Sequence, residues 1–285
     1  MKLKQKLAIN YIRARLRILA IVSPDKAARK ALDIFCTPFQ RNRKKPSAIF
    51  EKGEKLSFQL EGITVRGHRW RPHQASSANL KRVLIVHGFE SASVNFEGYI
   101  GGLLKKGYEV LAFDAPAHGQ SGGKRITLPL YAEMIRSVCD QYGPVQSFIG
   151  HSFGGSALSL FLESTPQDAD TKIALVAPAV EMTAAIDGFF AQLQLGDELR
   201  PGFDQRIEEM GGHPPSWFSI RRALYNIRAT VLWVQDEDDL ITPLRDTEGV
   251  REDRHPNLRF RITKGLGHRR IYRDPEVMRE ILEFL

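Results

Sequence analysis

Cysteine is scarce in this 285-residue chain: Cys36 and Cys139 are the only two, and they lie far apart. That excludes a disulfide framework, fits no metal or redox spacing, and suits a reducing, cytoplasmic compartment. Both thiols read best as small buried apolar groups. Long apolar runs are lacking too. The longest stretch free of Asp, Glu, Lys and Arg is 141–162, and Pro144, His151, several serines and a glycine-rich turn interrupt it. It reads as strand, turn and helix, so no transmembrane helix is expected. Arginines break the apolar region near the start and no small-residue cleavage site follows, which argues against a secretory signal. No internal repeat or low-complexity tract is present, which excludes a repeat architecture.

Charge is present but unevenly spread. Residues 1–45 hold 13 Lys and Arg against only Asp25 and Asp33, whereas the remainder holds 28 basic and 31 acidic residues. A basic extension over 1–50 therefore precedes a near-neutral body over 51–285. The overall 42% hydrophobic and 26% charged content is that of a soluble globular protein, and the length suits one large α/β domain. In the extension, Leu3, Leu7, Tyr11, Leu16, Leu19 and Val22 recur at roughly helical spacing. Lys2, Lys4, Lys6, Arg13, Arg15 and Arg17 are interleaved with them. Two readings fit: a helix docking one apolar stripe on the body, or peripheral contact with an anionic membrane. The cluster Arg41-Asn-Arg-Lys-Lys45 has no aromatic platform or recognisable module beside it, so no nucleic acid partner is expected.

Apolar periodicity orders the elements. Ser23 and Pro24 predict a helix start, and that helix runs to about Phe35. Strands are expected at Lys55–Leu60 and Ile63–Trp70, around the turn Glu61-Gly62, and at Val83–Val86 beyond a polar loop over 73–79. Helices near 93–106 and 129–142 then alternate with strands at Glu109–Phe113 and up to Gly150. Further strands are expected at Ile173–Ala177, Thr230–Val234 and Leu258–Ile262, with a last helix from about 274. Residues 179–228 break the rhythm with helical and aromatic segments. Such alternation predicts an α/β fold: a largely parallel sheet with helices on both faces.

Gly150-His151-Ser152-Phe153-Gly154 falls at one strand-to-helix junction. Standing alone, the pentapeptide could be an ordinary glycine-rich turn. At this junction it has the layout of a nucleophile elbow, with Ser152 held above the sheet edge and a helix N-terminus beneath it. A serine hydroxyl is a poor nucleophile at neutral pH, so it needs a base and the base needs an orienting acid. Both belong in loops at the carboxyl ends of strands. After Val231–Val234 comes Gln235-Asp-Glu-Asp-Asp-Leu-Ile-Thr-Pro243, where Asp239 is the candidate acid and Asp238 its competitor. Asp236 and Glu237 read as an acidic solvated turn. After the last strand, Thr263-Lys-Gly-Leu-Gly-His268 supplies His268 as base. His87-Gly88-Phe89-Glu90 ends the strand Val83–Val86, so the main-chain N–H groups of Phe89 and Phe153 are assigned to hold an oxyanion.

His87-Gly88, Asp114-Ala-Pro-Ala-His-Gly-Gln-Ser121, Gly150–Gly154, Asp239 with Pro243, and Gly265-Leu-Gly-His268 together resemble the α/β-hydrolase superfamily over about residues 55–285. The resemblance implies an eight-stranded, mostly parallel sheet, a Ser–His–Asp triad and a small helical cap formed by the insertion at about 179–228. Two departures stand out: Ala117 where a glycine usually precedes the histidine, and Asp236 where the acid turn usually begins with glycine. The first 50 residues match nothing in the common pattern. Phe189, Phe190, Leu193, Leu195, Phe203, Trp217 and Phe218 make the insertion aromatic, which suits an internal core and an apolar substrate group. Arg221, Arg222 and Arg228 read as a solvated helix face. The expected activity is hydrolysis of a small-molecule carboxylic ester with no metal or organic cofactor. Acyl transfer, thioester, amide or carbon–carbon cleavage by the same residues, and a non-catalytic receptor, are the alternatives.

Overall fold

Val83-Leu84-Ile85-Val86 is apolar at every position, so it needs strand neighbours on both sides and cover on both faces. It forms the middle of an eight-stranded sheet. The structure, a computed structural model, describes residues 3–42, 44–73 and 80–285, the side chains of 3–6 excepted. Residues 74–79 of the expected loop over 73–79, Arg43, Lys2 and the side chains of Leu3, Lys4 and Lys6 lie outside the described residues.

In chain order the first elements are α1 (Leu3–Val22), α2 (Pro24–Phe35), α3 (Ala48–Glu51), β1 (Glu54–Leu60), β2 (Ile63–Trp70) and β3 (Arg82–Val86). Next come α4 (Glu97–Lys105), β4 (Glu109–Asp114), α5 (Leu128–Tyr142), β5 (Ser147–His151), α6 (Phe153–Leu162) and β6 (Lys172–Val176). Helices α7 (Met182–Leu193), α8 (Arg200–Gly211) and α9 (Ile220–Leu224) precede β7 (Thr230–Asp236). The chain closes with α10 (Glu248–Glu252), β8 (Leu258–Thr263), α11 (Gly267–Arg270) and α12 (Pro275–Phe284). The sheet order is β1-β2-β4-β3-β5-β6-β7-β8. Pairs β1–β2 and β2–β4 are antiparallel and all others parallel. The α/β architecture expected from the alternation is therefore present.

Contacts divide the chain into two compact units: Met1–Thr37 with Glu181–Ser219, and Pro38–Val180 with Ile220–Leu285. In the sheet unit, Val83 and Ile85 pack in one buried cluster with Ile100 and Leu103 of α4 and Val277 and Ile281 of α12. The period of two along a strand turns Leu84 to the opposite face. Because β3, β5, β7 and β8 run parallel, the loops that follow them leave one edge of the sheet. Residues 38–50, counted above with the extension, belong to this unit. Arg41 donates to the carbonyl of Ser121 at 2.6 Å, and Lys44 pairs with Glu97 at 2.7 Å. Arg221 is exposed, as expected, and pairs with Asp253 at 2.7 Å, while half-buried Arg222 pairs with Glu163 at 2.6 Å.

The second unit joins the start of the chain to the insertion. Ser23 caps α2 by accepting from the Lys26 amide at 3.4 Å, with Pro24 at the first helical position. Phe35 of α2 meets Phe189 of α7 and Phe203 of α8 edge-on, at centroid separations of 5.2 and 5.7 Å. Phe190 packs on Phe203 at 5.2 Å, and Phe190, Leu193, Phe203 and Phe218 are all buried. These insertion aromatics therefore share a core with Phe35. The apolar positions of α1 split: Leu16 is buried, Leu19 half-buried, and Leu7, Tyr11 and Val22 exposed. No helix among the described residues is long and apolar enough to cross a membrane.

Candidate active site

Ser152 occupies the single residue between β5 and α6, with φ 54° and ψ −127°. A side chain at positive φ is strained, and the surroundings must hold it there. They do so by close packing. A Cβ on Gly154 would press on the main-chain carbonyls of Val86 and His87, and one on Gly150 would lie 3.0 Å from Gly155 Cα. The backbone of Ser152 is tied as well, its N–H donating to Val176 at 3.1 Å and its carbonyl accepting from Gly155 at 2.8 Å. Glycine on either side of the serine is thus a packing requirement. The hydroxyl stands at the N-terminus of α6, where helical amides favour negative charge.

His268, the first residue after Gly267 in α11, has Nε2 2.9 Å from Ser152 Oγ and Nδ1 2.8 Å from Asp239 Oδ2. Asp239 also accepts at Oδ1 from the amides of Ile241, at 2.8 Å, and Thr242, at 3.0 Å. Thr242 Oγ1 lies 2.9 Å from Oδ2. Burial opposes ionisation of Asp239, but the hydrogen bond and charge of His268 and these two amides outweigh it and hold the carboxyl below its usual range. An ionised carboxylate only accepts, so Nδ1 of His268 carries the hydrogen and Nε2 offers its lone pair to the serine hydroxyl. Asp238, the competing acid, turns away and accepts from the Gly265 amide at 2.9 Å.

Asp236 departs from its expectation. It is buried, not part of a solvated turn, and it binds the loop that carries the histidine. Its Oδ2 accepts from Thr263 Oγ1 at 2.7 Å and Leu266 N–H at 3.1 Å. Its Oδ1 accepts from Gly267 N–H at 2.8 Å and Asp238 N–H at 3.0 Å. Burial works against its charge, yet these four donors prevail and lower its pKa. Glu237, by contrast, is exposed and pairs with Lys264 at 3.2 Å.

Phe89 and Phe153, half-buried, meet edge-on with ring centroids 5.9 Å apart. Among the described residues, neither main-chain N–H donates within the chain. Gly88 is needed where the Phe89 loop meets the elbow, because a Cβ there would lie 2.9 Å from both His151 Nδ1 and Ser152 Cβ. Two buried histidines fix this loop. His87 accepts from the Ala115 amide at 3.0 Å and donates through Nδ1 to Gly88 at 2.8 Å. His118 accepts from the Glu90 amide at 3.0 Å and donates to Pro116 at 2.9 Å. A third, His151, donates through Nε2 to the main-chain oxygen of His268 at 3.1 Å. Burial pushes His118 and His151 down to about 3, which keeps both neutral.

A family model described as serine aminopeptidase, S33, matches residues 77–208. An esterase of Pyrococcus furiosus superposes with a TM-score of 0.62 at 22% identity, covering 88% of this chain and 97% of that one. This chain has the α/β-hydrolase fold. A second solved neighbour is a thioesterase domain from the curacin biosynthetic pathway, with a TM-score of 0.58 at 16% identity, covering 81% of this chain and 99% of that one. At these identities the structural likenesses show the fold. A serine hydrolase-like protein of Dictyostelium discoideum is 24% identical over 195 residues, which is 66% of this chain and 51% of that protein. The chain thus spans about half the length of that relative.

On this fold the sequence reading missed Asp236, Thr242, His118 and His151 as parts of the site. Asp236 had a usable signal: a carboxylate where the superfamily pattern has glycine. The others had none, since their roles depend on which loops meet in space.

Proposed function

We propose that this hydrolase cleaves a carboxylic ester through an acyl-enzyme on Ser152. The observation that carries the reading is the continuous hydrogen-bonded series from Ser152 through His268 to Asp239, at 2.9 and 2.8 Å. In the proposed reaction His268 Nε2 takes the hydroxyl proton as Ser152 Oγ attacks the carbonyl carbon. Asp239 keeps the ring oriented and stabilises the imidazolium. The Phe89 and Phe153 N–H groups receive the oxyanion, each such donor being worth roughly 2.7–4 kcal/mol of barrier. His268 then returns the proton to the leaving alcohol. Water, deprotonated by the same nitrogen, releases the acid and frees the serine.

The esterase and thioesterase neighbours and the serine aminopeptidase description support acyl chemistry in general, so the test must separate the leaving groups. Purified protein is assayed with p-nitrophenyl esters of graded acyl length, an acyl thioester and an aminoacyl anilide. Ester turnover above the other two, abolished in Ser152→Ala, is the expected result. Turnover of the anilide alone would move the chain to amide cleavage. No Ser152-dependent turnover of any acyl substrate would defeat the reading.

A further inference from the structure

Helix α1 is apolar on two sides. Leu16 is buried and Ile9, Ile12 and Leu19 are half-buried, which accounts for one of them. A helix with a single apolar surface to cover is polar on the opposite face. Here Leu7, Tyr11, Ile18, Ile21 and Val22 are exposed, from 61% at Leu7 to 86% at Ile21. At 3.6 residues per turn these positions and the small Ala14 fall on one face. Leu7, Tyr11, Ile18, Ile21 and Val22 are five of the ten exposed large apolar residues among the described residues, so this is a patch and not scatter. A groove of about 440 Å³, lined by Leu16, Ala20, Ile21, Leu195 and Leu199 with Arg17 and the exposed Glu198, continues it at the C-terminal half of the helix.

Positive charge borders the patch. The same turn geometry puts Arg15 along one edge and Arg17 along the other, and neither has an ion-pair partner among the described residues. The Arg15 guanidinium lies 5.6 Å from the centre of the Tyr11 ring, and one Arg17 nitrogen donates to the neutral Gln194 side chain at 3.1 Å. Exposed Lys26, Arg29 and Lys30 extend the charge along α2. A second copy of this face would bring like charges together, whereas a sheet of anionic headgroups over an apolar interior complements both the seam and its borders. Long arginine stems can lie along the apolar surface while their heads reach phosphate oxygens.

We propose that α1 lies in the plane of an anionic lipid surface, with its Leu7–Val22 face inserted at the headgroup boundary and Arg15 and Arg17 on the phosphates. This is independent of the reaction at Ser152. The full chain is floated with vesicles of phosphatidylcholine containing phosphatidylserine, and with phosphatidylcholine alone. Binding is expected only with the anionic lipid and weakens as salt is raised. It should fall about fivefold in each of Arg15→Gln and Arg17→Gln and disappear in Ile18→Asp, a change at an exposed position that leaves the melting temperature in place. Three results would overturn the proposal: no flotation with anionic vesicles, equal flotation with neutral ones, or undiminished binding by Ile18→Asp. A dimer in light scattering that Ile18→Asp converts to monomer would assign the seam to a second copy instead.

Discussion

Asp238 and Asp239 are adjacent carboxylates that chemistry alone cannot separate, and in the folded chain they face different partners. Asp239 is buried against the His268 ring, whereas Asp238 reaches the Gly265 amide. Asp239→Asn removes the charge that fixes the ring tautomer, so kcat on the best ester should fall about 10³–10⁴-fold. Asp238→Asn should leave kcat within about twofold, since its acceptor oxygen can remain on the Gly265 amide. Equal losses in the two variants would contradict the assignment of the acid. Ser152 and His268 were legible in the sequence because each ends a strand–turn pattern in the order the chemistry needs. Between the neighbouring acids the sequence favours Asp239 but leaves Asp238 open, because one residue of loop rotation decides it.

At the scale of elements, Asp236 at the end of β7 binds the segment between β8 and α11. The two loops carrying Asp239 and His268 are therefore one hydrogen-bonded assembly, and the histidine is placed by a carboxylate it does not touch. Asp236→Ala leaves the Leu266 and Gly267 amides and the Thr263 hydroxyl without their acceptor, at a cost of about 1–3 kcal/mol for each buried donor left unpaired. The melting temperature should fall by several degrees, and amide exchange over 265–268 should accelerate well before global unfolding. Unchanged exchange in that loop would remove Asp236 from the account. The strands themselves were readable because buried runs such as Val83–Val86 leave no other option. Even the tight turn at Glu61 and Gly62, with φ of 47° and 75°, follows from its residues. The departure at Asp236 was visible in the sequence, but its partners were not, because an acidic run looks solvated until the amides facing it are known.

The whole molecule stores its response to acid in neutral histidines. His68, His87, His118 and His151 are all held below their ordinary pKa chiefly by burial, the last two down to about 3. In the unfolded chain these rings take up protons below about pH 6.5. The unfolded state then binds more protons than the folded one, so stability is lost as pH falls from that point toward 3. The slope approaches about 1.4 kcal/mol per pH unit for each fully buried ring. Asp236 and Asp239, held below the usual carboxylate value, lose their contribution only at lower pH. Denaturant midpoints should therefore drop markedly between pH 7 and pH 5, and a flat profile would contradict the neutral-histidine picture. Also at this scale, the grouping of the first helices with 181–219 was not legible. Contacts such as Phe35 with Phe203 span too much sequence to leave a periodic trace. The central claim, that His268 and Asp239, distant in sequence, activate Ser152, has a direct test. Folded protein is treated with a fluorophosphonate and the modified residue is located by peptide mass mapping. The account predicts a single adduct on Ser152, absent from Ser152→Ala and from heat-denatured protein; no adduct, or one on another serine, would contradict it.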